Sequence, residues 1–384
     1  MRIVVDGRLL DVRKTGGTQY TRRLLEGVAA LAPQHELVVL RREQTGEFAN
    51  HANIHELELP EATLGNERWE QLQLPLVLRE LHPEVFFSPT SVTPAVHCCP
   101  TAVVVYDLGF WQHPEFYAPS LRSYLRRWLP PSAVNAQAVV CLSQTVKHDV
   151  TGLLGVAPDL VHVVPGAPDE VLSEPVSPER SDQLCEALGL RRPFVLCVSS
   201  SEYNKNLPRL VTAFERVRLQ ADGEWQLVLA GPPGAAERQL QDTLAKLSQP
   251  SSVVRLGFLS EDTLPVLYHA CEVFAFPSVS EGFGLPALEA MAAGKAVLCS
   301  DDGAVAEVVG DAALGVEVHC VETLASGLSQ LLTDNTLRER LGRQAFSRAS
   351  EFNWSNSSER LLRVLEALAA ISPVGRENGV RINP

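Results

Sequence analysis

The sequence predicts an α/β protein with two doubly wound domains, each built on a parallel sheet. Short apolar, β-branched segments alternate with longer segments of helical periodicity along the chain, and this alternation is typical of βαβ units. The chain has 384 residues, which is more than one hydrophobic core usually holds. Its hydrophobic content of 45% is sufficient for two ordinary cores.

The first domain is expected to span residues 1–170. Its strands are predicted at Arg2–Val5, Glu36–Leu40, Val85–Ser88, Thr101–Tyr106, Ala138–Leu142 and Val161–Val164. Its helices are predicted between those strands, at Thr18–Leu31, Trp69–Leu81, Ser120–Leu129 and Gln144–Leu153.

The second domain is expected to span residues 171–355, and the proline-containing segment 166–192, with a short helix at Ser181–Leu188, is interpreted as the linker. The strands of this domain are predicted at Phe194–Val198, Gln226–Leu229, Val253–Leu256, Val273–Phe276 and Ala296–Leu298. Its helices are predicted at Leu207–Leu219, Ala235–Leu247, Leu285–Ala293 and Val321–Leu332. A last helix, 356–371, is expected to pack back on the first domain, and the aperiodic tail 372–384 is expected to be disordered.

The most informative segment places two carboxylates, Glu281 and Glu289, on either side of a glycine-rich turn. An apolar strand ends before the turn, and a helix is expected to begin near Pro286, whose fixed φ suits a first helical position. Gly282 and Gly284 let the backbone approach a ligand closely, and the helix N-terminus favours an anion. A diphosphate is therefore the expected ligand, with Glu281 at the strand edge and Glu289 within reach of a sugar hydroxyl. The alternative is that both glutamates are ordinary solvated residues.

Lys205 precedes a second predicted helix, after the strand Phe194–Val198. A cation at that place opposes the helix dipole unless an anion is shared between the lysine and the helix. Because ligands of parallel sheets bind at the carboxyl ends of strands, Lys205 could hold the same diphosphate as the glycine-rich turn. The alternative is an exposed loop lysine.

Two further strand-to-helix connections, in the first half of the chain, are candidate sites. Gly16 and Gly17 follow the first strand and permit close backbone approach, although a flexible loop explains a lone glycine pair as well. The fourth strand ends at Tyr106 and Asp107, which places a phenol and a carboxylate at one edge of the sheet. His113 lies before a proline and is interpreted as a turn residue.

Charge and cysteine spacing exclude several classes of protein. A formal net charge of −13 argues against a nucleic-acid-binding protein, because such a protein needs a basic face. The eight cysteines lack paired CxxC spacing and are expected to be free thiols in a reducing cytoplasm.

The sequence also predicts a cytoplasmic protein, or one that is peripheral on the inner face of a membrane. Met1 runs directly into a strand, and no apolar segment is long enough to span a bilayer. One predicted helix carries Arg122, Arg126, Arg127 and Trp128. In so acidic a chain this pattern favours a solvated face over a lipid interface.

Together, these segments resemble the retaining, nucleotide-sugar-dependent glycosyltransferases of family four, which have the GT-B architecture. The resemblance covers nearly the whole chain, and its most specific part is the E-x7-E motif formed by Glu281 and Glu289. The other matching segments are Gly16–Arg22, Trp69–Gln71, Leu74–Pro75, Lys205–Leu207, Val253–Gly257, Pro277–Ser278 and Ala306–Asp311. GT-B architecture implies two Rossmann-like domains that face a deep central cleft.

The resemblance implies a role for each candidate residue. Glu281 would lie near the transferred sugar, Glu289 on the ribose hydroxyls and Lys205 on the diphosphate. Tyr106 and Asp107 would stand at the catalytic position where the family usually has His-Asp, so that a phenol replaces the histidine. The remaining donor contacts that the resemblance implies are Gly16, Gly17, Gly257, Phe258, Leu259, Gly282, Phe283, Gly284 and Leu285.

The resemblance also implies front-face attack with retention, in which a leaving-group oxygen helps to deprotonate the acceptor and no protein nucleophile is required. Catalysis would consist of positioning and of stabilising the departing diphosphate. The sequence contains no DxD signature of the other glycosyltransferase fold, and Asp301-Asp302 is interpreted as a turn. A metal-independent reaction is therefore expected, with the nucleoside-diphosphate sugar as co-substrate.

The predicted function is that of a retaining hexosyltransferase with a donor of the GDP-mannose or UDP-glucose type. The expected acceptor is a saccharide or lipid-linked saccharide in bacterial surface-glycan synthesis, contacted by the loops Arg13–Gln19 and Gly109–Tyr117. One alternative is a non-catalytic nucleotide-sugar-binding subunit, which the phenol of Tyr106 favours. A dinucleotide-dependent oxidoreductase is less well supported, because Gly16 and Gly17 lack the G-x-G-x-x-G spacing.

Overall fold

The computed structural model describes residues 1–12, 15–62, 65–219, 224–260 and 262–371. It consists of two compact units, and unit 1 contains residues 1–166 together with the last helix of the chain. Unit 2 contains residues 167–353, so the division falls a few residues before the predicted boundary between residues 170 and 171. The predicted tail 372–384, and residues 13 and 14 of the predicted acceptor loop, lie outside the described residues.

Unit 1 is built on a parallel sheet of seven strands. The strands are β1 (Arg2–Asp6), β2 (Glu36–Arg41), β3 (Ile54–Glu58), β4 (Val85–Ser88), β5 (Thr101–Val105), β6 (Ala138–Cys141) and β7 (Val161–Val163). Their order across the sheet is β3-β2-β1-β4-β5-β6-β7, so the direction of winding reverses between β1 and β4. Ligands of open parallel sheets bind beyond the carboxyl ends of the strands at such a reversal.

The helices in the first part of unit 1 are α1 (Gly16–Leu31), α2 (Leu74–Leu81), α3 (Gly109–Gln112), α4 (Pro119–Asn135) and α5 (Gln144–Leu154). Thr15 caps α1 through two reciprocal hydrogen bonds. The Thr15 hydroxyl accepts from the Thr18 backbone N–H, and the Thr18 hydroxyl accepts from the Thr15 backbone N–H. This early cap begins the helix before the glycine pair. Gly16 and Gly17, predicted to lie in the preceding connection, are therefore the first two residues of α1.

Unit 2 is built on a second parallel sheet, of six strands. The strands are β8 (Phe194–Val198), β9 (Gln226–Ala230), β10 (Val253–Gly257), β11 (Val273–Phe276), β12 (Ala296–Ser300) and β13 (Leu314–Val316). Their order is β10-β9-β8-β11-β12-β13, and the winding reverses between β8 and β11. The core of this unit includes Leu210 and Phe214 from one helix packed with the strand residues Leu227 and Leu298, all buried.

The helices of unit 2 are α6 (Pro178–Ala187), α7 (Leu207–Val217), α8 (Glu237–Leu244), α9 (Thr263–Ala270), α10 (Leu285–Ala292), α11 (Gly303–Val309), α12 (Val321–Thr333) and α13 (Asn335–Ala349). α6 lies inside the segment interpreted as a linker, yet it packs against α9 within unit 2. The chain ends its described part with α14 (Trp354–Ile371), which belongs to unit 1. A helix with the length and apolar character needed to cross a bilayer is not found in the described part of the chain.

The two sheets confirm the predicted α/β class with two doubly wound domains. The labelled elements that were not predicted from the sequence are β3, β13, α3, α9, α11 and α13. β3 lies at the edge of its sheet and has only two apolar residues, Ile54 and Leu57, so it lacks the continuous apolar run of a central strand. α13 was missed because charged residues dominate its sequence and obscure the helical period.

α14 packs closely against α1 within unit 1. A Cβ atom added to Gly27 of α1 would overlap the Oγ of Ser358 and lie 2.7 Å from its Cβ. Position 27 therefore requires glycine, because any larger residue would collide with the Ser358 side chain where the two helices cross. The buried side chains of α14 are Ser357, Ser358, Leu361, Val364, Leu365 and Leu368.

Gly27→Ala is expected to destabilise unit 1, although alanine is the better helix former. The gain in helix propensity is about 1 kcal/mol, whereas forcing the two helices apart costs about 1–3 kcal/mol and exposes their apolar faces. Hydrogen exchange at the α14 amides should therefore become faster. Adding Ser358→Gly to the variant should restore slow exchange. Unchanged exchange in Gly27→Ala would contradict the steric argument.

Candidate functional site

The carboxyl ends of β8 and β11 meet at the winding reversal of unit 2, and they bring Lys205 and Glu281 together. The Lys205 ammonium forms an ion pair with the Glu281 carboxylate. The two side chains are only 19% and 15% exposed. The ammonium also lies 5.5 Å from the centre of the Phe276 ring. The alternative interpretation, an exposed loop lysine beside a solvated glutamate, is therefore wrong.

Two asparagines on either side of Lys205 hold its backbone against the segment that carries Glu281. The Asn204 side chain donates to the Ser280 carbonyl at 3.0 Å. Asn206 is buried with a left-handed backbone (φ 59°), and its side chain donates to the Pro277 carbonyl at 3.2 Å. Asparagine tolerates this conformation better than most residues. The backbone at Lys205 is thus fixed by the side chains of its two neighbours, which limits where the lysine side chain can reach.

Gly284 ends the glycine-rich turn and caps α10 with a φ of 95°. A Cβ atom at this position would lie 3.0 Å from Cγ2 of Val305, so both the conformation and the space require glycine. Phe283, the residue before Gly284, is buried and packs edge-to-face on Phe352. This contact fixes the position of Phe283 in the turn. Pro286 has no N–H, and the N–H groups of Ala287 and Leu288 donate to the Gly284 carbonyl. The donors that α10 can offer an anion are therefore the N–H groups at its very start, at Gly284 and Leu285.

Glu289 is buried inside unit 2, at 8% exposure, rather than solvated. Its carboxylate accepts a hydrogen bond of 2.8 Å from the hydroxyl of Tyr268 in α9. Burial, and then the charge of Glu289, raise the pKa of Tyr268 well above its ordinary value. Tyr268 therefore stays a neutral donor that orients the carboxylate. The sequence analysis missed Tyr268; the available signal was a single phenol within an apolar segment.

The residues predicted near a nucleobase lie at the end of β10. Gly257 has a φ of 65°, and its carbonyl accepts a hydrogen bond of 2.6 Å from Gly231, which follows the neighbouring strand β9. Phe258 is 49% exposed, and Leu259 follows it. An aromatic ring exposed at the carboxyl edge of a sheet offers a surface on which a base can stack.

In unit 1, Tyr106 follows β5 and contacts α1. Its hydroxyl lies 3.3 Å from the Thr21 hydroxyl, and its ring packs edge-to-face on Tyr20. A Cβ atom at Gly17 would lie 3.4 Å from the Tyr106 ring, an ordinary van der Waals distance, so the ring lies directly beside the start of α1. Burial raises the pKa of Tyr106 above its ordinary value, and this phenol is therefore neutral at physiological pH.

Asp107 and His113 lie in the connection between β5 and α4. The Asp107 carboxylate accepts a hydrogen bond of 2.8 Å from the Gly109 backbone and one of 3.3 Å from the Tyr117 hydroxyl. These contacts help to begin α3 and to order the segment that follows. The His113 ring stacks on Phe116 at a turn between two short helices.

A buried ionic cluster, which the sequence analysis did not identify, lies at the winding reversal of unit 1. Arg8 donates to Asp6 at 2.5 Å and to Glu70 at 2.7 Å, and all three side chains are at most 1% exposed. The Tyr124 hydroxyl donates to Glu70 at 2.7 Å, and the Thr90 hydroxyl donates to Asp6 at 2.9 Å. The cluster thereby joins the ends of β1 and β4, a π-helical turn and α4. The available signal was an aspartate, Asp6, at the end of the apolar strand β1, with Arg8 two residues later.

One guanidinium is shared by two carboxylates in this cluster. Burial alone would lower the pKa of Arg8, but the charges and hydrogen bonds of Asp6 and Glu70 raise it above its ordinary value. The guanidinium also lies 4.7 Å from the centre of the Trp69 ring. Among the described residues, no three His, Cys, Asp or Glu side chains are grouped so that they could hold a metal ion.

Two family models match the chain, one for each unit. The model described as "Glycosyltransferase Family 4" matches residues 15–170. The model described as "Glycosyl transferases group 1" matches residues 185–348. The candidate residues of unit 2, from Lys205 to Glu289, all lie within the second match.

Named relatives and a solved structure agree with these models. The O-antigen chain mannosyltransferase B of Escherichia coli is 26% identical over 301 residues, which are 76% of each chain. The serotype-specific mannosyltransferase WbdA of Escherichia coli is 30% identical over 247 residues, 64% of this chain but only 29% of that longer protein. HepE of Anabaena, solved in complex with UDP and glucose, has a TM-score of 0.74 at 19% identity and covers 96% of this chain and 100% of its own. At this identity the solved structure supports the fold alone.

Proposed function

We propose a donor, a stereochemical course and residue roles for this chain, which belongs to the family-four glycosyltransferases with the GT-B fold. It transfers a hexosyl group from a nucleoside-diphosphate sugar to a saccharide or lipid-linked saccharide, with retention of configuration. Two relatives are named mannosyltransferases, one of them for the O-antigen chain, which favours GDP-mannose over UDP-glucose and a role in bacterial surface-glycan synthesis. The observation that carries the proposal is the Lys205–Glu281 ion pair beside the start of α10.

Lys205 and the N–H groups of Gly284 and Leu285, at the start of α10, bind the diphosphate in this proposal. As the bond between the anomeric carbon and the phosphate oxygen breaks, negative charge accumulates on the diphosphate. A partly buried ammonium and a helix N-terminus stabilise such charge more strongly than water does. Glu281 is the counter-ion of Lys205 before the donor binds, and it then accepts hydrogen bonds from hydroxyls of the transferred sugar.

The acceptor hydroxyl attacks the anomeric carbon from the face that the diphosphate leaves. The new glycosidic bond forms as the old bond breaks, and a leaving-group oxygen takes the acceptor proton. This course needs neither a protein nucleophile nor a protein base, which agrees with a neutral phenol at Tyr106. Tyr106 can donate a hydrogen bond but cannot accept a proton at neutral pH. The charge of the diphosphate is met by protein groups, so we propose a metal-independent reaction.

The function is tested with a binding panel and a release assay. Thermal shift and calorimetry would compare GDP, UDP, ADP, NAD and the corresponding sugar conjugates, since a ligand raises the apparent stability by mass action. Selective binding of one nucleoside diphosphate is expected, with release of that nucleotide from its sugar conjugate in EDTA and a product of retained configuration. Binding of NAD alone, or an inverted product, would overturn the proposal.

A non-catalytic nucleotide-sugar-binding subunit is the second candidate, favoured by the phenol of Tyr106. This candidate predicts selective binding with no release of nucleotide, even when a panel of saccharide and lipid-linked acceptors is supplied. Tyr106→His would supply the imidazole that family members usually have at this position. If activity appears only in that variant, the natural chain is the binding subunit.

Glu289 is proposed to accept hydrogen bonds from the donor ribose, and deoxy nucleotides test this role. Glu289→Ala is expected to weaken binding of the ribonucleoside diphosphate about tenfold, because a hydrogen bond to a charged group contributes about 1.5–3 kcal/mol. Binding of the 2′-deoxy and 3′-deoxy analogues should change less. Tyr268→Phe keeps the carboxylate and removes its hydrogen-bond donor, and serves as the comparison. Equal losses for ribo and deoxy ligands would assign Glu289 to structure alone.

A further inference from the structure

A groove in unit 1, with a volume of about 490 Å³, collects basic side chains from separate elements. It lies between α5, β7 and α14, and its polar lining consists of Gln144, Lys147, His162, Arg360 and Arg363. β7 is the edge strand of its sheet, so the groove follows the side of the sheet rather than its winding reversal. Its volume lies within the range of small-molecule sites, about 300–1,000 Å³.

The positive charge of the groove is largely uncompensated by the contacts within it. The Lys147 ammonium donates to the Val161 carbonyl at 2.7 Å, and the Arg360 guanidinium donates to the Val163 carbonyl at 3.5 Å. These acceptors are neutral. Arg363 pairs with Glu359, but both side chains are more than half exposed, and such a pair is weak. Cations converge here although the chain as a whole carries a net charge of −13.

The N-terminus of α5 adds a further preference for an anion. Gln144 is the first residue of this 11-residue helix, and Lys147 lies one turn later on the same side. The Ser143 side chain caps the helix by accepting from the Val146 backbone. The positive end of the helix dipole and the Lys147 ammonium therefore act in the same direction.

His162 responds to the charges around it. Burial lowers its pKa, and Lys147 of α5 lowers it further, while Asp159 before β7 acts in the opposite direction. Arg360 and Arg363 of α14 line the same groove. A bound anion would offset these cations and raise the pKa of His162, so binding should be coupled to the uptake of a proton and strengthen as the pH falls.

We propose that this groove is a second anion site, which binds a phosphorylated ligand carrying two or more negative charges. Its lining shares no residue with the proposed donor contacts, and the inference does not depend on the proposed transfer reaction. Arg360 and Arg363 provide planar donors for phosphoryl oxygens, and Lys147 provides a point charge beside a helix N-terminus. A soluble sugar phosphate and a phospholipid headgroup share this chemistry.

Calorimetry with inorganic pyrophosphate tests the site on the full chain. Because pyrophosphate would also bind at Lys205, the titration is made in Lys205→Ala, where one binding event should remain. Adding either Arg360→Gln or Arg363→Gln, one at a time, should weaken that event at least tenfold. Arg79→Gln, an equal charge change on an exposed residue of α2 outside the groove, should leave it unchanged.

Two further experiments measure the pH dependence of anion binding and distinguish a soluble ligand from a lipid headgroup. Inorganic sulfate, whose charge is constant at these pH values, should bind several-fold more tightly near pH 6 than near pH 8, and His162→Gln should remove the difference. Glucose 6-phosphate and vesicles containing phosphatidic acid distinguish a soluble ligand from a headgroup. The proposal is overturned if Lys205→Ala abolishes all pyrophosphate binding, or if the groove variants bind as tightly as the Arg79→Gln control.

Discussion

Lys205→Ala is expected to slow hexosyl transfer by about 10²–10³-fold, the usual effect of removing one preorganised donor to developing charge. The side-chain amides of Asn204 and Asn206 hold the backbone on either side of Lys205, so alanine removes the charge and leaves the scaffold in place. Nucleoside-diphosphate affinity should fall as well, because the same charge binds the ground-state diphosphate. The measurement is a comparison of kcat with the dissociation constant of the nucleotide.

The ion pair makes a companion variant informative. Glu281→Gln should abolish transfer, yet bind the nucleoside diphosphate as tightly as the wild type or more tightly, because Lys205 loses its counter-ion. Lys246→Ala, which removes the same charge as Lys205→Ala but at an exposed residue of unit 2, should alter neither transfer nor nucleotide affinity. Equal nucleotide affinity in the wild type and Lys205→Ala would remove the phosphate assignment.

Glu70→Ala is expected to destabilise unit 1 by about 3–5 kcal/mol, the range for removal of one partner of a buried ion pair. The variant leaves the Arg8 guanidinium beside a single carboxylate, Asp6, in a site without access to water. It also removes the acceptor of the Tyr124 hydroxyl, which is then an unpaired donor. The ends of β1 and β4 should become mobile together.

Thermal unfolding gives the total loss of stability, and native-state hydrogen exchange shows whether unit 1 or unit 2 is destabilised. The amides of β1, β4 and α4 should lose protection in Glu70→Ala, whereas those of β8 and β11 should keep it. Glu224→Ala removes one partner of the exposed Arg191–Glu224 pair and should cost no more than about 1 kcal/mol. A loss of similar size in both variants would mean that the buried cluster contributes no more than a surface pair.

Most of the site in unit 2 was predictable because its signals are local. A glycine with positive φ, a proline at a helix start and a lysine before a helix each follow from a few adjacent residues. The meeting of Lys205 with Glu281 was predictable only in outline, since the residues are 76 apart in the chain. It followed from the rule that neighbouring parallel strands present their carboxyl ends together.

The contacts that were not predicted involve side chains whose role depends on distant partners. Arg8 and Glu70 are 62 residues apart, and neither position carries a local pattern that indicates burial. Tyr268 was missed together with its helix, because an apolar segment of eight residues is ambiguous between strand and helix. Gly16 and Gly17 were assigned to a connection because glycine weakens helix propensity, but the Thr15 cap decided the start of α1.

The return of α14 to unit 1 has a consequence for synthesis on the ribosome. Domains usually fold in the order in which they emerge, yet residues 1–166 emerge without the helix that covers α1. Unit 2, which is contiguous in the chain, can therefore finish folding while unit 1 still exposes the apolar residues that α14 covers. A ribosome stalled at the end of unit 2 would hold a nascent chain whose second unit resists protease and whose first unit recruits chaperones.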